Sequence, residues 1–164
     1  MSPPSFDEFY LGSRQRLLRC VYAVTGDMQD AQDVLQEAFA RAWQNWGKVS
    51  GYEDPEAWVR TVAFRIAVSR WRRAKNAITA HRRHGAANAV RPPDENTVAL
   101  VAALRGIPEE QRKAIVLHHI AGRSVAEIAA ETGVAEGTVK ARLSRGRQAL
   151  AQLLRTESTG HRYA

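Results

Sequence analysis

The sequence predicts an all-α protein, two small helical domains joined by a flexible linker. Three observations predict it. Apolar residues recur at steps of three and four through most of the chain. No alternating run of four or more residues competes as a strand. Residues 76–96 lose the large apolar side chains that both flanks carry. At 164 residues and 45% hydrophobic content, the chain can fill one average core or two small ones, and wholesale disorder is disfavoured.

The first domain, residues 1–75, reads as three helices. Residues 6–24 place Phe6, Phe9, Tyr10, Leu17, Leu18 and Val21 at helical spacing, with Cys20 as a small core residue. TGDMQD interrupts, and Thr25 or Asp27 can cap the next helix. Residues 30–46 then carry one continuous apolar stripe: Ala31, Val34, Leu35, Ala38, Phe39, Ala42, Trp43 and Trp46. GKVSGYEDP is a loop by composition. Glu53 or Asp54 starts a third helix with Pro55 in its first turn, running to about Arg73, with Trp71 as packing.

Residues 76–96, NAITAHRRHGAANAVRPPDEN, read as the linker. The second domain, residues 97–155, resumes with helices at 97–105, at 109–121 after Ile107-Pro108, at 124–132 and at 136–155. The tail 156–164 is expected to fray.

Composition narrows the function. A net charge of +7 argues for a polyanionic partner, nucleic acid or an acidic membrane surface. A single cysteine excludes a disulfide framework or a cysteine-based zinc site within one chain. His81 and His84 lie in the linker and His118-His119 are adjacent, so no metal-ligand spacing emerges. No phosphate loop, nucleophile elbow or triad pattern is present, so neither an enzyme, a cofactor nor a small-molecule substrate is expected. The N-terminal residues show no signal-peptide pattern and no run reaches 18 apolar residues, so a cytoplasmic protein without membrane insertion is expected.

The segment SVAEIAAETGVAEGTVKARLSRGRQAL carries the sharpest pattern. Ser124 with Glu127 forms a capping box, Ile128 and Ala129 supply an apolar face, and Gly133 can take positive φ in the turn. A second helix begins near Glu136. This is a helix-turn-helix pattern, against the plainer alternative of an ordinary helical hairpin. At about 100° per residue, Val139, Leu143, Gly146, Leu150, Leu153 and Leu154 share one side. The other side holds Gly137, Ala141, Ser144, Arg145 and Gln148, flanked by Lys140. Arg145 can offer two parallel donors to a guanine edge, while Arg142 and Arg147 lie nearer the sides, where phosphates would be. From Val139 to Leu154 there are four cations and no anion. A solvated face would mix both signs, so the pattern favours a DNA-reading helix.

Two further surfaces are ambiguous alone. In DPEAWVRTVAFRIAVSRWRR, Trp58, Thr61, Arg65 and Arg72 fall along one side, and aromatic plus cation suits single-stranded nucleic acid. The plainer reading makes Trp58 core and the arginines solvated. On residues 30–46, Asp30, Asp33, Gln36, Glu37, Arg41 and Gln44 form an acidic face, suited either to solvent or to a protein partner.

With these residues in hand, the chain resembles the extracytoplasmic-function (group IV) sigma factors of bacterial RNA polymerase. Asp33-Val-Leu-Gln-Glu-Ala-Phe39 is similar to that family's polymerase-binding segment. Ala57-Trp-Val-Arg-Thr-Val62 through Trp71-Arg-Arg73 is similar to its promoter-melting helix. Ile107-Pro108-Glu-Glu-Gln-Arg112 and Gly137-Thr-Val-Lys-Ala-Arg-Leu-Ser-Arg145 resemble the start and recognition helix of its C-terminal domain. The resemblance covers about residues 6–155, with motifs and linker in order.

The resemblance implies a sigma-2 domain (1–75) and a sigma-4 domain (97–155). Asp33, Gln36, Glu37 and Arg41 would dock on the β′ clamp helices of core RNA polymerase. Lys48, Trp58, Arg60, Thr61, Arg65 and Arg72 would capture the non-template strand of the −10 element with a base unstacked. Glu136, Gly137, Thr138, Lys140, Ala141, Arg142, Ser144, Arg145 and Arg147 would serve the −35 element, and the same domain would touch the β flap. Promoter DNA and core polymerase are the implied partners. An anti-sigma factor is common in the family, and no residue here identifies one. The sequence departs from the family where Arg65 stands for a usual asparagine, Ser69 for a frequent aspartate, and Ala141 for a frequent hydroxyl residue. These bear on base preference at both elements. The competing reading is a stand-alone helix-turn-helix regulator, which would need a dimer to set half-site spacing; no sustained heptad or extra dimer helix is evident.

Overall fold

The computed structural model describes residues 2–76 and 94–160. All regular structure among them is helical, and the chain divides into two compact units, Met1–Val90 and Arg91–Ala164.

The first unit holds α1 (Phe6–Thr25), α2 (Met28–Gln44), α3 (Trp46–Val49) and α4 (Pro55–Asn76). Their boundaries follow local chemistry. Ser5 and Glu8 cap α1 reciprocally: the Glu8 amide donates to Ser5 Oγ at 3.2 Å and the Ser5 amide donates to Glu8 Oε2 at 3.0 Å. Gly26 ends α1 with φ 75°, a conformation that costs glycine nothing. Asp27 accepts from the Asp30 amide at 2.9 Å to open α2, and Asp54 accepts from the Ala57 amide at 2.9 Å to open α4 behind Pro55. Of the two cap candidates at each helix start, Asp27 and Asp54 do the work.

Helices α1, α2 and α4 pack on one another. Leu17, Val21, Ala31, Ala38, Ala42, Val59 and Ala63 have no exposed surface. The alanines of α2 let its neighbours approach closely, and burial of a side chain such as Leu17 contributes about 1.5–3 kcal/mol. Phe6, Phe9, Tyr10, Phe39 and Trp46 cluster beside them, with Phe9–Trp46 centroids 4.9 Å apart and Tyr10–Phe39 edge to face at 4.8 Å. Cys20 is buried as expected.

Three expectations for this unit change. The stretch read as loop contains one helical turn, α3. Trp43, placed on the α2 stripe, is 64% exposed. The stripe instead steps from Phe39 and Ala42 to Trp46, whose ring meets Phe6 and Phe9. Trp71, read as packing, is 52% exposed with the Lys75 ammonium 4.9 Å from its ring centre. The buried residues of α4 stop at Ala67, so the last turns have no core to face.

The second unit holds α5 (Glu95–Arg105), α6 (Glu109–Ile115) running into a π-helical turn (Val116–Ile120), α7 (Val125–Thr132) and α8 (Glu136–Gly160). Asp94 caps α5 through the Thr97 amide at 2.7 Å, and that hydrogen bond holds its carboxyl below the usual range. The other end of α5 is closed from a distance. Half-buried Arg112 donates from Nε to the Leu104 carbonyl at 2.8 Å and from Nη2 to the Ile107 carbonyl at 3.2 Å. The Leu104 carbonyl also accepts from the Ile107 amide at 3.3 Å, so the Arg112 side chain adds to a backbone turn in closing α5 and holding the corner before α6.

The core of this unit is Leu104, Ile107, Ala114, Ile115, Val116, Leu117, Ile128, Val139 and Leu143. Gly146 sets the spacing of α8 on α6. A Cβ there would lie 2.5 Å from Ile115 Cδ1, 3.2 Å from Ile115 Cγ1 and 3.3 Å from Gln111 Cβ. Leu154, expected on the buried side, is 36% exposed, while Leu153 takes the inner place against Gly106. Helix α8 continues to Gly160, through the first part of the expected tail. Asn76 ends α4 and Glu95 begins α5, so the expected linker narrows at both ends. Its residues 77–93, with His81 and His84, and tail residues 161–164 lie outside the described residues. No described helix is long and apolar enough to cross a membrane.

Gly146→Val is expected to destabilise the second unit by about 1–3 kcal/mol, as overpacking does. Gly137→Ala, where a new Cβ meets nothing within 4 Å, is expected to be neutral or stabilising by up to about 1 kcal/mol. Thermal unfolding of the two variants checks the contrast.

Candidate nucleic-acid interface

The two helices of the sequence-predicted helix-turn-helix form as expected. The Glu127 amide donates to Ser124 Oγ and the Ser124 amide to Glu127 Oε1, each at 3.1 Å. Gly133 turns the chain with φ 73°, its amide donating to the Ala129 carbonyl at 2.9 Å. Ile128 before the turn and Val139 after it are both buried, which locks α7 and α8 together. Arg123 reinforces the first helix. It pairs with Glu127 at 2.9 Å, and its Nε lies 3.6 Å from a carboxylate oxygen of Glu131. The sequence reading missed this arginine; its place before a capping box with glutamates at i+4 and i+8 was the available signal.

Because Val139, Leu143, Gly146 and Leu150 face inward, α8 presents Glu136, Gly137, Thr138, Lys140, Ser144, Arg145 and Arg147 as exposed residues, with Ala141 half-buried. Small residues at 137, 141 and 144 let the helix enter a groove, and Arg145 stands among them. The flanking arginines are not equivalent. Arg142 Nη2 lies 2.6 Å from Glu110 Oε2 on α6, an ion pair whose carboxylate is largely exposed. Arg147 Nε donates to His119 Nε2 at 3.1 Å.

In the first unit, Trp58 and Thr61 are half-buried while Arg65 and Arg72 are exposed on α4, and Lys48 is exposed on α3. Arg60 does not join them, a correction to the sequence reading. It is 4% exposed. The reason is helical period: Arg60 stands about 200° from Trp58, whereas Thr61, Arg65 and Arg72 stand within about 60° of it. Arg60 therefore shares the packed side with Ala63 and Ala67. Trp71, read as packing although it lies in the Trp71-Arg-Arg73 motif, is exposed with Arg70 beside Arg72. The signal for Trp71 was a tryptophan set among Arg70, Arg72 and Arg73, without apolar neighbours.

The acidic face of α2 is partly met from within. Glu37 accepts from Arg41 Nη2 at 2.8 Å and from Arg70 Nη2 of α4 at 3.0 Å. Asp33 accepts from Gln29 at 3.1 Å, and Gln36 is exposed. Exposed ion pairs of this kind contribute about 0–1 kcal/mol, so a partner's cation can displace them readily. No group of three or more His, Cys, Asp or Glu among the described residues could hold a metal ion.

The second unit thus holds a helix-turn-helix with a cationic outer side, and the first a helix carrying aromatic and cationic residues, two candidate nucleic-acid surfaces on one chain. Comparison with known proteins is specific. Residues 9–77 match Sigma-70 region 2 and residues 97–150 match Sigma-70, region 4. The chain is 34% identical over 157 residues to the ECF RNA polymerase sigma factor SigM of Mycobacterium tuberculosis, covering 95% of this chain and 80% of that protein. It is 30% identical to the RNA polymerase sigma-E factor of Streptomyces coelicolor, covering 90% and 83%. The sigma factor RpoE of Bartonella quintana, solved in complex with the anti-sigma factor NepR, matches with a TM-score of 0.76 at 25% identity, covering 92% of this chain and 96% of that one. The chain belongs to the extracytoplasmic-function family of sigma-70 RNA polymerase sigma factors, which are not enzymes, and it directs RNA polymerase to promoters.

His119 adds a pH dependence. Although the ring is largely exposed, partial burial, then the Arg147 charge, then His118 lower its pKa from the ordinary 6.5. The folded chain therefore prefers neutral His119. Its contribution is fully present above the unfolded value and falls as pH drops from there through the lower folded value. Thermal unfolding between about pH 8 and pH 5 is expected to show a loss on the acid side that His119→Gln reduces.

Proposed function

We propose a division of labour among three surfaces. The face of α2 formed by Asp33, Gln36, Glu37 and Arg41 docks on the clamp helices of the polymerase β′ subunit. Lys48 with Trp58, Thr61, Arg65 and Arg72 holds the non-template strand at the −10 element, Trp58 giving a base a plane to stack on. Stacking of this kind contributes about 1–3 kcal/mol per base. Helix α8 reads the −35 element through Arg145, with Lys140, Ser144 and Arg147 on phosphates. Residues 1–75 then act as the sigma-2 domain and 97–155 as the sigma-4 domain, which also meets the β flap. The chain works in the cytoplasm, where the polymerase is.

The observation that carries this reading is the outward side of α8: small residues around one exposed arginine, with no anion from Val139 to Leu154. The NepR complex of the Bartonella relative supports an anti-sigma partner for this chain as well. Arg65 is exposed on the same side of α4 as Trp58 and Thr61, which supports a phosphate or base contact in place of the family's asparagine.

Run-off transcription with core polymerase on a random promoter library tests the reading and recovers both elements. Arg145→Ala is expected to lower discrimination at one −35 base by about 1–3 kcal/mol while leaving core binding intact. Glu37→Lys is expected to weaken core binding instead. Unchanged polymerase affinity in Glu37→Lys would remove the α2 face from the interface.

A further inference from the structure

The π-helical turn carries two adjacent histidines between α6 and α7, and each ring makes one directed bond. Single π-helical turns are rare and recur at functional sites. His118 Nδ1–H donates to the Arg123 carbonyl at 2.8 Å, tying the turn to the approach to α7. His119 Nε2 accepts from Arg147 Nε–H at 3.1 Å, tying it to α8. Arginine does not give up its proton, so His119 Nε2 is unprotonated and the ring is neutral. Burial, Arg147 and His118 all favour that neutral form. The α7 carboxylates of Glu127 and Glu131 are engaged with Arg123.

Arg142 and Arg147 flank the same helix and are restrained differently. The Glu110 carboxylate pairs with Arg142. A neutral imidazole holds Arg147 and leaves its charge intact. The bond uses only Nε, so both terminal amines of Arg147 remain for an anion. Lys140, Ser144 and Arg147 follow one another at i, i+4 and i+7 along α8.

We propose that His119 is a positioning residue for Arg147, holding its guanidinium at the edge of α8 with both terminal amines available to one phosphate of the −35 DNA. The inference rests on the reading of α8 as the −35 helix. An arginine already held loses less side-chain freedom when it lands on a phosphate, so affinity gains without a new contact. His119 itself touches no DNA in this arrangement.

The test uses holoenzyme made with the full chain, on the promoter recovered from the library. Equilibrium binding is measured across a salt series for wild type, Arg147→Ala, His119→Ala, His119→Gln and the double variant His119→Ala/Arg147→Ala. Loss of one phosphate contact in Arg147→Ala is expected to reduce the slope of log affinity against log salt by about 0.9. His119→Ala is expected to weaken binding severalfold, His119→Gln to restore most of it through its side-chain oxygen, and the double variant to bind no more weakly than Arg147→Ala. A nitrogen-15 titration of the imidazole rings in the free full chain is expected to show the His119 pKa rising in Arg147→Ala. Additive effects of the two alanine variants, an unchanged salt slope in Arg147→Ala, or an unchanged His119 titration would each overturn the proposal. A wild-type holoenzyme without promoter selectivity would fail the −35 reading instead, and the titration reads the histidine–arginine bond without DNA.

Discussion

The close approach of α8 to α6 at Gly146 governs what the second unit can present. With no side chain at 146, α8 settles against Ile115 and Gln111. That contact fixes the rotation of α8 about its own axis, and rotation is what decides which residues a groove would meet. Glycine inside a helix ordinarily weakens it by roughly 1 kcal/mol relative to alanine. Here the loss is offset by packing of Val139, Leu143 and Leu150 that a larger residue at 146 would hold apart. Ile128 and Val139, both buried on either side of the Gly133 turn where α7 packs on α8, then hold α7 in place beside that crossing.

The charged groups around this frame are sorted by what they are paired with. Arg112 is turned inward to close α5, Arg123 is turned onto α7, and Arg142 is held by Glu110. Arg145 and Lys140 stay exposed, and Arg147 is held by a neutral ring. Within the net charge of +7, several of the described cations are structural, and others stand exposed on the outer side of α8 and along α4. The first unit shows the same sorting. Arg70 spans from α4 to Glu37 on α2, so the acidic surface and α4 share one ion pair. Exchange of that pair for a partner's cation would leave Arg70 beside Arg72.

Much of the fold was legible because its cues are local. Asp27, Asp54 and Ser124, readable as cap candidates, act as helix caps, and Gly133 takes the positive φ of its turn; Ser5, Gly26 and Asp94, which the sequence reading did not single out, use the same local chemistry. Helical period likewise gave the inner side of α8 down to Leu150 and the outer group around Arg145. Three misplacements have a common cause. Trp43, Trp71 and Leu154 each lie where a side chain's fate depends on where a neighbouring element ends. Trp43 loses its place to Trp46 of α3, and Trp71 lies beyond the last buried residue of α4. Leu154 is bypassed because Leu153 meets Gly106. Arg60 was counted with a motif, although its helical angle already separated it from Trp58.

By itself the sequence determined that the chain is helical, where its helices begin and turn, which side of α8 is apolar, and the family to which its motifs belong. These follow from hydrogen bonding and side-chain period within a few residues. Only the tertiary structure decided which arginines remain outward, that Glu37 is shared by Arg41 and Arg70, and that a histidine on a π-helical turn meets Arg147. Those outcomes depend on helices distant in sequence coming within hydrogen-bond reach, and no local pattern encodes a distance of that kind.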